Sequence, residues 1–123
     1  MDKKKVLVVD DDKEFLDEIA NTLELSGYKP ITVSDSNEVV KEASKVKPRI
    51  ILLDLKLEGK SGFKVADELR FNPKTKDIPI VAITGVFTRK EHRVLMRVCN
   101  MKKCLTKPFN PLDVIHLIKN AGQ

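Results

Sequence analysis

No apolar run in this chain exceeds four residues, whereas a helix that crosses a bilayer needs roughly 20. A membrane-spanning helix is excluded on that ground. The start, Met1-Asp2-Lys3-Lys4-Lys5, leads to Asp10-Asp11-Asp12 and lacks the apolar centre of a secretory signal, so the expected location is the cytoplasm. Cysteine is scarce. Cys99 and Cys104 have neither C-x-x-C spacing nor a nearby His pair, and they read as two unpaired thiols in a reducing compartment rather than a disulfide or a zinc site. His92 and His116 read as helix-surface residues. Internal repeats, linkers and low-complexity segments are also lacking, and 123 residues fit one domain, 1–123, with a single core.

The net charge of +5 is unevenly spread. Residues 1–61 carry 11 basic and 13 acidic side chains, and residues 62–123 carry 12 and 5. Most of the excess lies between Arg89 and Lys107, where Arg89, Lys90, Arg93 and Arg97 form a basic helix face opposed only by Glu91. Such a face suits an acidic output partner. No aromatic residue interleaves with these charges as base stacking would require, so direct nucleic-acid binding is not expected.

What the chain does have is a strict alternation of strand and helix patterns. Residues 5–9 form an apolar strand, after which Asp12 caps a helix carrying Phe15, Leu16, Ile19 and Leu23 at helical spacing until Gly27. Residues 29–33 alternate as a strand near the sheet edge, and Val39, Val40, Ala43 and Val46 mark a helix that Pro48 ends. A third strand, Ile50 to Asp54, precedes a helix from about Ser61 with Phe63, Ala66 and Leu69 inward. A fourth strand, Ile80 to Thr84, precedes a helix opened by the capping box Thr88-x-x-Glu91 and burying Val94, Leu95 and Val98. A short strand near Lys103 to Leu105 precedes a last helix with Pro111 in its first position and Leu112, Ile115 and Ile118 toward the core. Five such units predict a doubly wound α/β fold, a parallel sheet covered by helices on both faces.

In such a sheet the residues just past the strands collect at one edge, where these folds bind ligands. Here they are Asp10 and Asp11, Asp54, Thr84, and Thr106-Lys107-Pro108. Three carboxylates, a hydroxyl and an ammonium make a site for one hard divalent cation and one phosphoryl group. An Asp after a strand is often only a helix cap, and that is the reading of Asp12. No helix starts directly after Asp54.

The motifs Val8-Val9-Asp10-Asp11-Asp12, Leu52-Leu53-Asp54, Ala82-Ile83-Thr84-Gly85 and Leu105-Thr106-Lys107-Pro108-Phe109, taken together in order and spacing, resemble the receiver domain of two-component response regulators over essentially the whole chain. The resemblance implies a flavodoxin-like (βα)5 fold with strand order 2-1-3-4-5. It also implies phosphorylation of Asp54 by a sensor histidine kinase or a histidine phosphotransfer protein. On that reading Mg²⁺ is held by Asp11, Asp54 and the backbone carbonyl of Lys56, with Asp10 bound directly or through water. Lys107 sits against a phosphoryl oxygen, and the Thr84 hydroxyl donates to another. Lys107-Pro108 is where the family often has a cis peptide. The domain is then a signalling module rather than an enzyme, catalysing only its own phosphorylation and dephosphorylation.

The chain departs from the family pattern in three respects. Cys104 stands where an aromatic or His is usual, which implies that the signal passes through the loop after strand four and the basic helix face rather than through ring burial. Lys56 and Val86 flank the path of an attacking water with a cation and an apolar screen, which predicts slow self-dephosphorylation. Glu58 replaces a usual Pro, which predicts a looser loop in which Gly59 and Gly62 allow the turn. Gly59-Lys60-Ser61 resembles the end of a phosphate-binding P-loop, but that motif needs a Gly where Asp54 stands. A phosphohydrolase would want a second acid where Lys56 stands. The remaining alternative is a receiver-like interaction module that works without phosphorylation.

Overall fold

The structure is a computed structural model that describes residues 3–57, 59–84, 103–106 and 110–121. In chain order it contains β1 (Lys4–Val9), α1 (Lys13–Leu25), β2 (Tyr28–Val33), a short 3-10 turn (Ser36–Glu38), α2 (Val39–Val46), β3 (Ile50–Asp54), α3 (Gly62–Phe71), β4 (Ile80–Thr84), β5 (Lys103–Thr106) and α4 (Pro111–Ala121). All four strand pairings are parallel, in the order β2-β1-β3-β4-β5. That is the predicted flavodoxin-like order. The helix expected at Thr88-x-x-Glu91 with Val94, Leu95 and Val98 lies outside the described residues, as do Glu58, Cys99 and Lys107-Pro108.

The continuous apolar strands are explained by what lies on each side of the sheet. Successive strand residues point to opposite faces, so β1 sends Leu7 and Val9 to one core and Val6 and Val8 to the other. β3 divides in the same way, Ile51 and Leu53 from Ile50 and Leu52. The first core is covered by α2 and α3 through Val39, Ala43, Val65, Ala66 and Leu69. The second is covered by α1 and α4 through Leu16, Ile19, Leu23, Val114, Ile115 and Ile118. Burial of each large aliphatic side chain contributes about 1.5–3 kcal/mol, so a polar residue in place of any of Val6 to Val9 or Ile50 to Leu53 is costly. β2 is an edge strand, where a residue such as Pro30, with no N–H to offer, is tolerated.

Most helix ends are those the sequence predicts. The Asp12 carboxylate accepts from the Glu14 and Phe15 amides at 3.1 and 3.2 Å. Ser61 Oγ accepts from the Lys64 amide at 3.2 Å and caps α3. α2 ends in Lys47, whose φ of 49° is in the left-handed region, a conformation that usually falls to Gly. α4 departs from expectation. Leu112 is 68% exposed, and the inward face is formed by Val114, Ile115 and Ile118. Residues 114, 115 and 118 follow a helical stripe that 112 does not join. His116 is exposed, as expected, and pairs with Asn120 along the helix at 3.1 Å.

Candidate functional site

β1 and β3 are neighbours in register, Val9 opposite Leu53, so the residue after β1 and the last residue of β3 emerge side by side. Asp10 is fully buried, Asp54 is 5% exposed and Asp11 faces solvent. One carboxylate oxygen from each lies within 4.8 Å of the others. At an effective dielectric constant of about 20, two such charges repel by roughly 3–4 kcal/mol. A cluster of this kind is suited to a cation.

Two backbone amides set the orientation of the buried pair. The Asp12 amide donates to Asp10 Oδ1 at 2.9 Å, and the Lys56 amide donates to Asp54 Oδ1 at 3.0 Å. Both bonds run from residue i+2 back to an Asp side chain, the local turn that Asp favours. In the chain segment after Asp10, one turn feeds the next: Asp12 orients Asp10 through its amide and starts α1 through its carboxylate.

The chain beyond Asp54 is tied down in several places. The Leu55 amide donates to the Ile83 carbonyl at 3.0 Å, and the Gly62 amide donates to the Leu55 carbonyl at 2.9 Å. Lys56 and Ser61 form an isolated antiparallel bridge, and Lys60 Nζ pairs with both Glu68 carboxylate oxygens at 3.0 and 3.1 Å. Glu58 itself lies outside the described residues. Lys60 and Ser61, the apparent P-loop residues, are thus used by α3, one as an ion-pair partner and the other as a cap. Gly59 turns the chain with φ of 84°. Gly62 does not need a positive φ and is required for a different reason: a Cβ there would collide with the Asp54 carbonyl oxygen and lie 2.6 Å from Leu55 Cα. The sequence predicts two turn glycines, Gly59 and Gly62. One of them is a close-approach glycine.

Of the other predicted site residues, Thr84 ends β4 beside β3 and pairs in register with Thr106 of β5, which places both backbones at the same edge as Asp54. Lys56 is exposed. Cys104 is placed on β5, opposite Ala82. Lys107, Val86 and the basic residues Arg89, Lys90, Arg93 and Arg97 lie outside the described residues. The two orienting amides and the seat formed by Gly62 were missed in the sequence. The Asp-x-Asp and Asp-x-Lys spacing is a usable signal for the amides, whereas nothing local marks Gly62.

A five-stranded parallel sheet of this order, with three carboxylates at the carboxyl ends of the adjacent strands β1 and β3, defines an α/β domain with an acidic cluster that could hold a metal ion at the sheet edge. The chain belongs to the response regulator receiver domain family, whose model matches residues 6–119. It is 31% identical over 116 residues to the phosphate regulon transcriptional regulatory protein PhoB of Escherichia coli (strain K12), covering 94% of this chain and 50% of that protein. It is 35% identical, over 94% of this chain and 47% of the relative, to the alkaline phosphatase synthesis transcriptional regulatory protein PhoP of Bacillus subtilis (strain 168). The chain spans about half the length of the curated relatives it matches. Among solved structures, the Vibrio cholerae chemotaxis protein CheY4 superposes with a TM-score of 0.91 at 27% identity, covering 98% of this chain and 99% of that one. The receiver domain of the Pseudomonas aeruginosa sensor histidine kinase PA1611, 22% identical, shares the fold with a TM-score of 0.88 and 98% coverage of both chains. Among the described residues, no helix is long and apolar enough to cross a membrane.

Proposed function

We propose that Asp54 is the phosphoacceptor of this receiver domain, taking a phosphoryl group from a sensor histidine kinase or a histidine phosphotransfer protein in the cytoplasm. The observation that carries this reading is the convergence of Asp10, Asp11 and Asp54 within 4.8 Å at the strand ends of a chain that matches the receiver family. An all-oxygen, anionic donor set fits a hard divalent cation. Asp10, Asp11 and Asp54 would hold Mg²⁺ together with the Lys56 carbonyl. The PA1611 receiver structure contains a magnesium ion in its active-site cleft. When bound, the ion neutralises charge on the transferring phosphoryl group, the main obstacle to attack by a carboxylate.

The chain's own residues do the rest. The Lys56 amide fixes one Asp54 oxygen and with it the plane of the carboxylate. An Asp54 oxygen forms the new O–P bond as the donor's N–P bond breaks, and the electron pair stays on the donor imidazole nitrogen. The Thr84 hydroxyl and the Lys107 ammonium take up charge on the phosphoryl oxygens. The hydrogen bond that Thr84 gains to the phosphoryl group would draw the end of β4 toward Asp54 and so alter the surface presented to an output partner, with the basic residues Arg89, Lys90, Arg93 and Arg97 as the contact. Catalysis is confined to the domain's own phosphorylation and dephosphorylation, so the domain acts as a switch and not as an enzyme on other substrates.

Intact mass after incubation with acetyl phosphate tests the assignment. The native chain gains one phosphoryl group in Mg²⁺ and none after chelation, and Asp54→Asn gains none. An unmodified native chain under every condition would instead indicate a module that binds partners without phosphorylation.

A further inference from the structure

The first residue of α3 is in contact with the backbone of Asp54. The Gly62 amide donates to the Leu55 carbonyl at 2.9 Å. A Cβ built on Gly62 runs into the Asp54 carbonyl oxygen, with Leu55 Cα at 2.6 Å and the Asp54 carbonyl carbon at 3.0 Å. All three atoms are main chain, so no rotamer change relieves the contact. Either α3 or the Asp54–Leu55 peptide must move. α3 is held by Val65, Ala66 and Leu69, all fully buried in the core, by the Ser61 cap and by the Lys60–Glu68 pair. The peptide is held on its other side by the Leu55 amide bond to Ile83.

We infer that Gly62 is a positioning residue for the acidic site: the bare Cα at the head of α3 sets how far the Asp54 backbone, and therefore its carboxylate, stands from Asp10 and Asp11. The inference rests on the phosphoacceptor reading of Asp54. Gly62 touches neither ion nor phosphoryl group and acts only through the main chain of the residue that does. Displacing a reacting group by about 1 Å can cost 10²-fold in rate, and a shift of that order is what a methyl group at this position demands. Any gain in helix propensity from Ala is small beside it.

The test compares the native chain, Gly62→Ala and Ile118→Val, the last a core truncation on the far face of the sheet that lowers stability without touching the site. Mg²⁺ affinity is followed by a spectroscopic titration, and the acetyl phosphate reaction by mass, each about 20 °C below the variant's own melting temperature. Expected are at least tenfold weaker Mg²⁺ binding and at least tenfold slower phosphorylation in folded Gly62→Ala, with both unchanged within twofold in Ile118→Val. Native-like Mg²⁺ affinity in folded Gly62→Ala would overturn the inference and leave the glycine a purely structural residue. A native chain that binds no Mg²⁺ and takes no phosphoryl group would overturn the phosphoacceptor reading instead.

A second readout uses the native chain alone. Saturating Mg²⁺ is expected to shift the amide resonance of Gly62 more than that of Leu23 in α1, because only the former is joined to the Asp54 backbone through the Leu55 carbonyl. Equal shifts of both, or none, count against the coupling.

Discussion

Asp11 is the exposed member of the acidic trio, and Asp10 and Asp54 are the buried ones. Removing Asp11 takes a charge from the ion without opening a cavity. Asp11→Ala is therefore expected to weaken Mg²⁺ binding at least tenfold, about 1.4 kcal/mol, while the melting temperature without divalent ions is unchanged or slightly raised. Isothermal titration and a melting curve check both halves. Asp54→Asn should be more revealing, because it removes a nearly buried carboxylate crowded within 4.8 Å of two others. Relief of that repulsion is expected to raise the stability of the metal-free protein by about 1–3 kcal/mol, measured by urea unfolding in a chelator. An unchanged or lower midpoint would show that the local hydrogen bonds already offset the repulsion. The pair Lys56 and Val86 carries a kinetic expectation. Val86→Glu supplies an acceptor for a hydrolytic water and should shorten the lifetime of phosphorylated Asp54, read as decay of the phosphorylated mass.

The helix ends differ in how well they suit their residues. Asp12 and Ser61 are good caps with two and one amides satisfied, and replacing Asp12 with Ala is expected to cost about 1 kcal/mol. Lys47 is the opposite case. A β-carbon in the left-handed region costs roughly 1–2 kcal/mol, and at φ 49° Lys47→Gly should gain about 0.5–1 kcal/mol in urea unfolding after allowing for the greater freedom of Gly in the unfolded chain. Caps were legible in the sequence because they depend on residues within three positions of one another. The boundary signals Asp12, Gly27, Pro48 and Ser61 all fell within one or two residues of the observed ends. The inward face of α4 was not legible. Leu112, Ile115 and Ile118 have acceptable spacing, but Val114 displaces Leu112 because the choice of stripe depends on where the sheet lies.

For the domain as a whole, binding at the acidic edge is linked to folding, because the three carboxylates are adjacent only when β1 and β3 are paired. Mg²⁺ at 100 times its dissociation constant is expected to stabilise the native chain by about 2.7 kcal/mol, and Asp54→Asn should lose most of that increment in a thermal melt. The sequence by itself determined the element order, the parallel doubly wound topology and the identity of the acidic residues. Each of these rests on short-range information: the period of apolar residues, turn and cap chemistry, and the position of an Asp directly after a strand. Tertiary structure alone decided which side of α4 is inward, and that Gly62 is needed for its missing Cβ and not for a turn. The physical reason is that these depend on the distance between segments far apart in register or held by other layers. Gly62 is eight residues from Asp54 in the chain, yet whether its Cα meets the Asp54 carbonyl is set by how closely α3 packs on the sheet.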